Sequence, residues 1–262
     1  SAGVNYDLQY ESAELTITKA PLTVIADAKT KVYGESDPEL TYSISGGELI
    51  GEDVLSGALA RAAGENAGVY LISLGSISAG VNYELQYESA ELTIDKAPLT
   101  VAADAKTKVY GESDPELTYS ISGGELIGED VLSGALTRVA GENAGVYLIS
   151  LGSISAGVNY DLQYEGAELT IGKATLTVTA NDVVITEGDL IPALTVTYSG
   201  FVNGDTKADL QKEPVASTTA TPSSMPGSYP IVLVAEMDHN YSFVLLNGTL
   251  TIEAGEPILG IE

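Results

Sequence analysis

Over residues 81–88 the chain reads VNYELQYE, setting apolar Val81, Tyr83, Leu85 and Tyr87 against polar Asn82, Glu84, Gln86 and Glu88. Alternation of period two predicts a strand with one buried face. AELTID follows almost at once, and taking Ser89-Ala90 as a two-residue turn predicts a hairpin in which Tyr87 faces Leu92 and Leu85 faces Ile94. Asn247-Gly248 falls at the same place late in the chain and supports that turn, because Asn-Gly favours tight hairpins. The alternation resumes in LTVAADA with Leu99 and Val101 inward, while Pro98, which has no N–H to give to a ladder, predicts a break between sheets. Further strands are predicted at Leu117 to Ser122 and Val146 to Gly152. GEDVLSGAL is the one candidate helical turn, with Asp130 as its cap, and nearby glycines keep it short.

These elements recur. Asn5-Tyr6, Asn82-Tyr83 and Asn159-Tyr160 are spaced by 77 residues, and Asn240-Tyr241 follows after 81. Ala26 to Leu59 is identical to Ala103 to Leu136 over 34 positions. A fixed period of this kind marks an array of similar units. The third unit keeps the apolar spacing, loses most of the letters and inserts STTATPSSMPGSYP. Each unit closes on a Leu-Thr-Ile string, which predicts β modules over 19–95, 96–172 and 173–253 and a tail over 254–262. Residues 1–18 then read as the closing hairpin of a preceding module. With five or six short strands and one helical turn, each unit is predicted to be mostly β, as a small β-grasp-like module or an Ig-like β-sandwich.

Composition narrows the function classes. Eleven Lys and Arg against 37 Asp and Glu give a net charge of −26, a field that repels phosphate backbones and anionic lipid. Nucleic acid is therefore not expected as a partner. Such a surface suits the extracellular medium, and it also suits a halophile's cytosol. The 262 residues contain no Cys, so disulfides and thiolate metal sites are excluded and the cores must stand on packing alone. No uninterrupted apolar run approaches the length of a membrane span, so no membrane insertion is expected.

KAPLTV, VYG (Val32 to Gly34 and Val109 to Gly111), LTYSISG, GVY and the closing NY…Y…LTI together resemble the MBG domain of the YGX type, found in tandem in large bacterial surface proteins and adhesins. In the third unit YSGFVNGD, NYSF and NGTLTI match as well, whereas VVITEGD stands where the others have VYG. The resemblance covers nearly the whole chain. It implies a repeated extracellular module that spaces an adhesive or catalytic tip from the cell, and it supplies no catalytic residues.

Candidate chemistry is sparse. The single histidine, His239, lies in a loop of the third unit, with no Gly-x-Ser-x-Gly elbow and no Cys nucleophile to serve. The acidic strings GESDPE (Gly34 to Glu39, Gly111 to Glu116), GED (Gly51 to Asp53, Gly128 to Asp130) and EGD (Glu187 to Asp189) lack the EF-hand pattern and read as solvated turns. Tyr83 and Tyr87 share parity with Leu85 and read as core. The sequons at Asn240 and Asn247 are short patterns that arise by chance. We therefore expect no catalytic, metal or cofactor-binding residues and no cofactor. The expected function is a non-catalytic, semi-rigid acidic stalk, a monomeric rod of three modules reaching roughly 90 Å. The alternative is an adhesin module whose third unit contacts a protein or glycan. A lone hairpin is marginal in water, so residues 1–18 are expected to fray or to add onto a neighbouring sheet edge.

Overall fold

A computed structural model describes residues 3–255. The first repeat carries β1 (Ala20–Ala26), β2 (Lys29–Val32), β3 (Tyr42–Gly46), β4 (Ala60–Arg61), β5 (Gly68–Ser73), β6 (Tyr83–Glu88) and β7 (Ala90–Asp95). The second carries β8 (Ala97–Ala103), β9 (Lys106–Val109), β10 (Tyr119–Gly123), β11 (Thr137–Arg138), β12 (Gly145–Ser150), β13 (Tyr160–Glu165) and β14 (Ala167–Gly172). The third carries β15 (Ala174–Ala180), β16 (Val183–Thr186), β17 (Val196–Ser199), β18 (Val215–Thr218), β19 (Gly227–Val234), β20 (Tyr241–Leu246) and β21 (Gly248–Glu253). The fold is all-β.

The chain separates into two compact units. One takes in the described residues through Leu99 with Gly123–Leu132 and Ala156–Gln163; the other takes in Thr100–Ser122, Ser133–Ser155 and the described residues from Tyr164 onward. In the first unit β3-β1-β6 form a three-stranded sheet and β2-β7-β5-β4 a four-stranded one. In the second unit the third repeat repeats this plan as β17-β15-β20 and β16-β21-β19-β18. Ala26, Ile72 and Leu92 from the two sheets of the first repeat pack into one core with Leu59 and Ile77, and Leu85 and Tyr87 of β6 close over it. That packing of sheet on sheet is the sandwich arrangement, not the β-grasp, which needs a helix to wrap.

The predicted hairpin does not form. β6 pairs in parallel with β1, Tyr83 opposite Ala20 and Tyr87 opposite Val24. β7 pairs in parallel with β2 and antiparallel with β5. The two consecutive strands thus belong to facing sheets, joined through Ser89, and the Tyr87 hydroxyl reaches across to donate to the Ile72 carbonyl at 2.8 Å. Alternation reports which face is buried but not which strand lies alongside. Asn247-Gly248 is likewise no hairpin turn: Asn247 Oδ1 accepts from the Leu233 N–H at 3.0 Å, and a Cβ at residue 248 would lie 2.5 Å from the Ala180 carbonyl oxygen. Glycine is there for close approach of two backbones. Val81 lies outside β6 and is 81% exposed.

The break near Pro98 is observed, since β7 and β8 lie in different sheets and are separated by Lys96 alone. Leu99 and Val101 are fully buried as the alternation predicts. GEDVLSGAL is not helical in either copy, because Gly128 and Gly134 sit at φ 61° and 89° and Asp130 is engaged elsewhere. The one helical turn among the described residues is the 3-10 turn Lys207–Asp209, capped by Thr206. Residues 3–18 carry no strand, and Tyr6, Leu8, Tyr10, Leu15 and Ile17 stand exposed. They have the letters of β6 and β7 but join none of the sheets. Residues 1 and 2, and the predicted tail from 256 on, lie outside the described residues.

Leu92 is fully buried between the two sheets of the first repeat. Leu92→Ala is expected to destabilise the fold by about 3 kcal/mol, read as a lowered midpoint in denaturant at unchanged slope.

Candidate functional site

The parallel pairing of β2 with β7 fixes the turn that follows it. Tyr33 N–H donates to the Asp95 carbonyl at 2.8 Å, and Glu35 Oε2 accepts from the Val32 N–H at 2.7 Å. Tyr33 is thereby held off the end of the sheet as a plug. Within the first unit its ring packs edge-on against Tyr160, with centroids 5.6 Å apart at 78°, and its hydroxyl donates to Asp130 Oδ2 at 2.9 Å. The Tyr160 hydroxyl donates to the same oxygen at 2.7 Å and accepts from the Ile127 N–H at 2.7 Å. Around them Val32, Ile127, Leu132 and Leu162 pack with buried Ala97 and Leu99. Gly34 sits at φ 90°, and a Cβ there would lie 2.9 Å from the Ile127 side chain. A second contact flanks the plug. Asn159 Oδ1 accepts from the Ala67 N–H at 3.0 Å, and Asn159 Nδ2 donates to Asn66 Oδ1 at 3.1 Å.

The second unit contains the same joint with every part replaced by its repeat equivalent. Tyr110 packs edge-on against Tyr241 at 5.6 Å and 84°, and its hydroxyl donates to Asp205 Oδ2 at 2.9 Å. Tyr241 donates to that oxygen at 2.7 Å. Asn240 Oδ1 accepts from the Ala144 N–H at 2.9 Å, and Asn240 Nδ2 donates to Asn143 Oδ1 at 3.1 Å. At Gly111, φ 91°, a Cβ would lie 2.5 Å from the Val202 side chain. Plug and socket therefore recur although the third repeat shares few letters with the second.

An ion-pair network holds the plug from behind. Lys31, 6% exposed, donates to Asp37 Oδ1 at 2.8 Å, to Glu65 Oε2 at 2.6 Å and to the Glu35 carbonyl. Arg61 pairs with Asp37 at 2.6 Å and with Glu65, and lies over the Tyr70 ring at 5.5 Å. Lys31 precedes Tyr33 by two residues and Glu65 precedes Asn66 directly, so one network fixes both contacts of the joint. Lys108, Asp114, Arg138 and Glu142 repeat it in the second unit. Arg61 and then Lys31 hold the Asp37 carboxyl down at about 2, and Arg138 and Lys108 do the same for Asp114.

The acidic strings are thus only in part the solvated turns expected. Asp37 and Asp114 are neutralised by paired cations, and Asp53, Asp130 and Asp205 accept from tyrosine hydroxyls. Asp189 does serve its own turn, accepting from the Thr186 N–H. Among the described residues no group of three or more His, Asp or Glu is arranged to hold a metal. His239 is exposed beside buried Asp238, which accepts from the backbone N–H groups of Gln211, Asn240 and Tyr241. Sequence reasoning placed Tyr83 in the core correctly but missed Tyr33 and Tyr110 as plugs. Their signal was a tyrosine and a glycine with no alternating strand to explain them.

Two-sheet β repeats carrying a tyrosine plug and an Asp-Tyr-Asn socket define a class of tandem domain. The chain belongs to the MBG domain (YGX type) family, which matches three times, over residues 22–93, 99–170 and 176–251. No curated protein matches it. Among solved structures, a crystal structure of the I9–I11 tandem from titin is similar at 13% identity, covering 91% of this chain and 98% of that one, with a TM-score of 0.20, at which the likeness carries no argument.

Tyr33→Phe removes one hydroxyl donor and leaves Asp130 with Tyr160, a change expected to cost about 1 kcal/mol by chemical denaturation, with Tyr33→Ala costing more through loss of the ring. Stabilisation from Asp37 and Asp114 is present above the unfolded carboxylate range near ~4 and is lost as pH falls towards about 2, so melting temperature is expected to drop across that window. At the other extreme, burial, with Asp205 adding to it, pushes the Tyr241 phenol up to about 12. Its contribution is intact below pH ~10 and is lost as pH rises through about 12, which phenolate absorbance against the unfolding signal will report.

Proposed function

We propose that this chain is a non-catalytic repeat region of a large bacterial surface protein, a semi-rigid acidic spacer that presents an adhesive or other tip domain. The observation that carries the reading is the repetition of one joint with equivalent residues in each unit, Tyr33 on Asp130 and Tyr110 on Asp205. A joint that fixes direction through a buried ring, a shared carboxylate and an asparagine clamp limits bending where a flexible linker would not. Membership of a family of repeat domains that are generally extracellular supports the placement at a surface. The net charge of −26 supports mutual repulsion of neighbouring spacers. No helix among the described residues is long and apolar enough to cross a membrane.

Small-angle scattering of the intact chain tests this. A globule of this length has a radius of gyration near ~18 Å, and a spacer is expected to exceed it clearly. Tyr33→Ala with Tyr110→Ala is expected to broaden the distance distribution while circular dichroism stays unchanged. A globule's radius for the wild type, or a distribution indifferent to the double substitution, would overturn the reading.

A further inference from the structure

The first repeat has a socket into which no plug is inserted among the described residues. Tyr83 donates to Asp53 Oδ2 at 2.8 Å and accepts from the Ile50 N–H at 2.7 Å, matching Tyr160 with Asp130 and Ile127. Ile50, Asp53, Asn82 and Tyr83 line a cavity of about 410 Å³. Asp53 accepts from one tyrosine where Asp130 and Asp205 each accept from two, and the Asn82 side chain has no hydrogen-bond partner among the described residues.

The third repeat shows the converse. Leu169 and Leu250 pair with Lys106 and Val183, a register that sets Ile185 at the place of Lys108 and Glu187 at the place of Tyr110. The antiparallel pairing sets Gly227 at the place of Gly145, so that Met225 and Pro226 stand where Asn143 and Ala144 do. Four parts of the plug face are gone, namely the tyrosine, the buried lysine behind it, the clamped asparagine and the backbone N–H, which Pro226 lacks, while Gly188 keeps the turn's φ of 90°. The socket half, Asp205, Asn240 and Tyr241, is kept.

The geometry points to directional docking: the cavity of the first repeat receives the Tyr-Gly turn of another YGX-type repeat, whereas the third repeat, with Glu187 in place of the tyrosine, offers no such plug. The occupant is identified by the two sister sockets, each filled by a Tyr-Gly turn and the Asn-Ala loop beside it through the same three hydrogen bonds. A second copy of this chain does not qualify, because Tyr33 and Tyr110 are engaged in their own joints and the third repeat offers a carboxylate, which an acidic socket repels. This goes beyond the spacer reading and does not require it.

The test restores the plug on the intact chain. Glu187→Tyr, Met225→Asn and Pro226→Ala together are expected to turn a monomer into head-to-tail oligomers in sedimentation velocity, with the oligomer fraction rising with concentration. Asp53→Asn with Asn82→Ala in the same chain is expected to return it to monomer. Should the triple variant lose its β signal in circular dichroism, Glu187→Tyr alone, at an exposed site, is read instead, with weaker association and the same dependence on Asp53 and Asn82. Absence of association in folded variants, or association that survives the socket substitutions, would overturn the docking site. A wild-type chain that oligomerises through Asp53 would overturn the reading that the third repeat offers no plug.

Discussion

The structure turns on a carboxylate that accepts from two phenols in a largely apolar setting. Asp130 and Asp205 each receive one hydroxyl from their own repeat and one from the repeat before. Buried polar groups are costly unless paired. The two tyrosines satisfy the carboxylate oxygen together, and each ring packs edge-on against the other while doing so. Because the acceptor is shared, neither repeat completes the arrangement alone. A sequence otherwise built of independent two-sheet units thereby acquires a specific neighbour.

The elements that support this contact are chosen for rigidity. Tyr33 follows a strand locked in parallel register with β7, and the turn is closed by Glu35 on the Val32 N–H. Behind it, Lys31 is nearly inaccessible yet bears a full charge, which is tolerable because three oxygens converge on it. The same cation orders the Glu65 loop that presents Asn66 and Ala67. The third repeat has neither the tyrosine nor the lysine, and Ile185 stands in the lysine's place. A buried ammonium with no plug to position would carry a desolvation cost and return nothing.

Much of the fold could be read from the letters, and the errors have physical causes. Alternation in VNYELQYE and LTVAADA located strands and inward faces, and Leu99, Val101 and Tyr83 are buried as read. The same alternation misassigned the partner of β6, since period two is equally satisfied by a hairpin and by an arch between sheets. Parallel partners lie some sixty residues back in the chain, where no local signal reaches. The joints were invisible for a related reason: Tyr33 and Asp130 are far apart in sequence and belong to different repeats, so a unit read alone shows an unexplained tyrosine and an apparently solvated Gly-Glu-Asp turn. What did carry the information was the repeat itself, because VYG, GED and NY recur together in fixed order.

Net charge explains why the joint takes this form. With 37 acidic against 11 basic residues, few cations are left for ion pairs between repeats, and exposed pairs would be too screened to set a direction. A neutral phenol donating to a carboxylate brings no further like charge to the contact. An amide clamp of asparagine on asparagine and backbone N–H has the same neutrality. Four of the eleven cations, Lys31, Arg61, Lys108 and Arg138, are spent inside the first two repeats on Asp37 and Asp114, where they hold the plug and not the partner. An acidic surface and neutral donors are therefore compatible, because the donors let successive repeats meet without a charge of opposite sign.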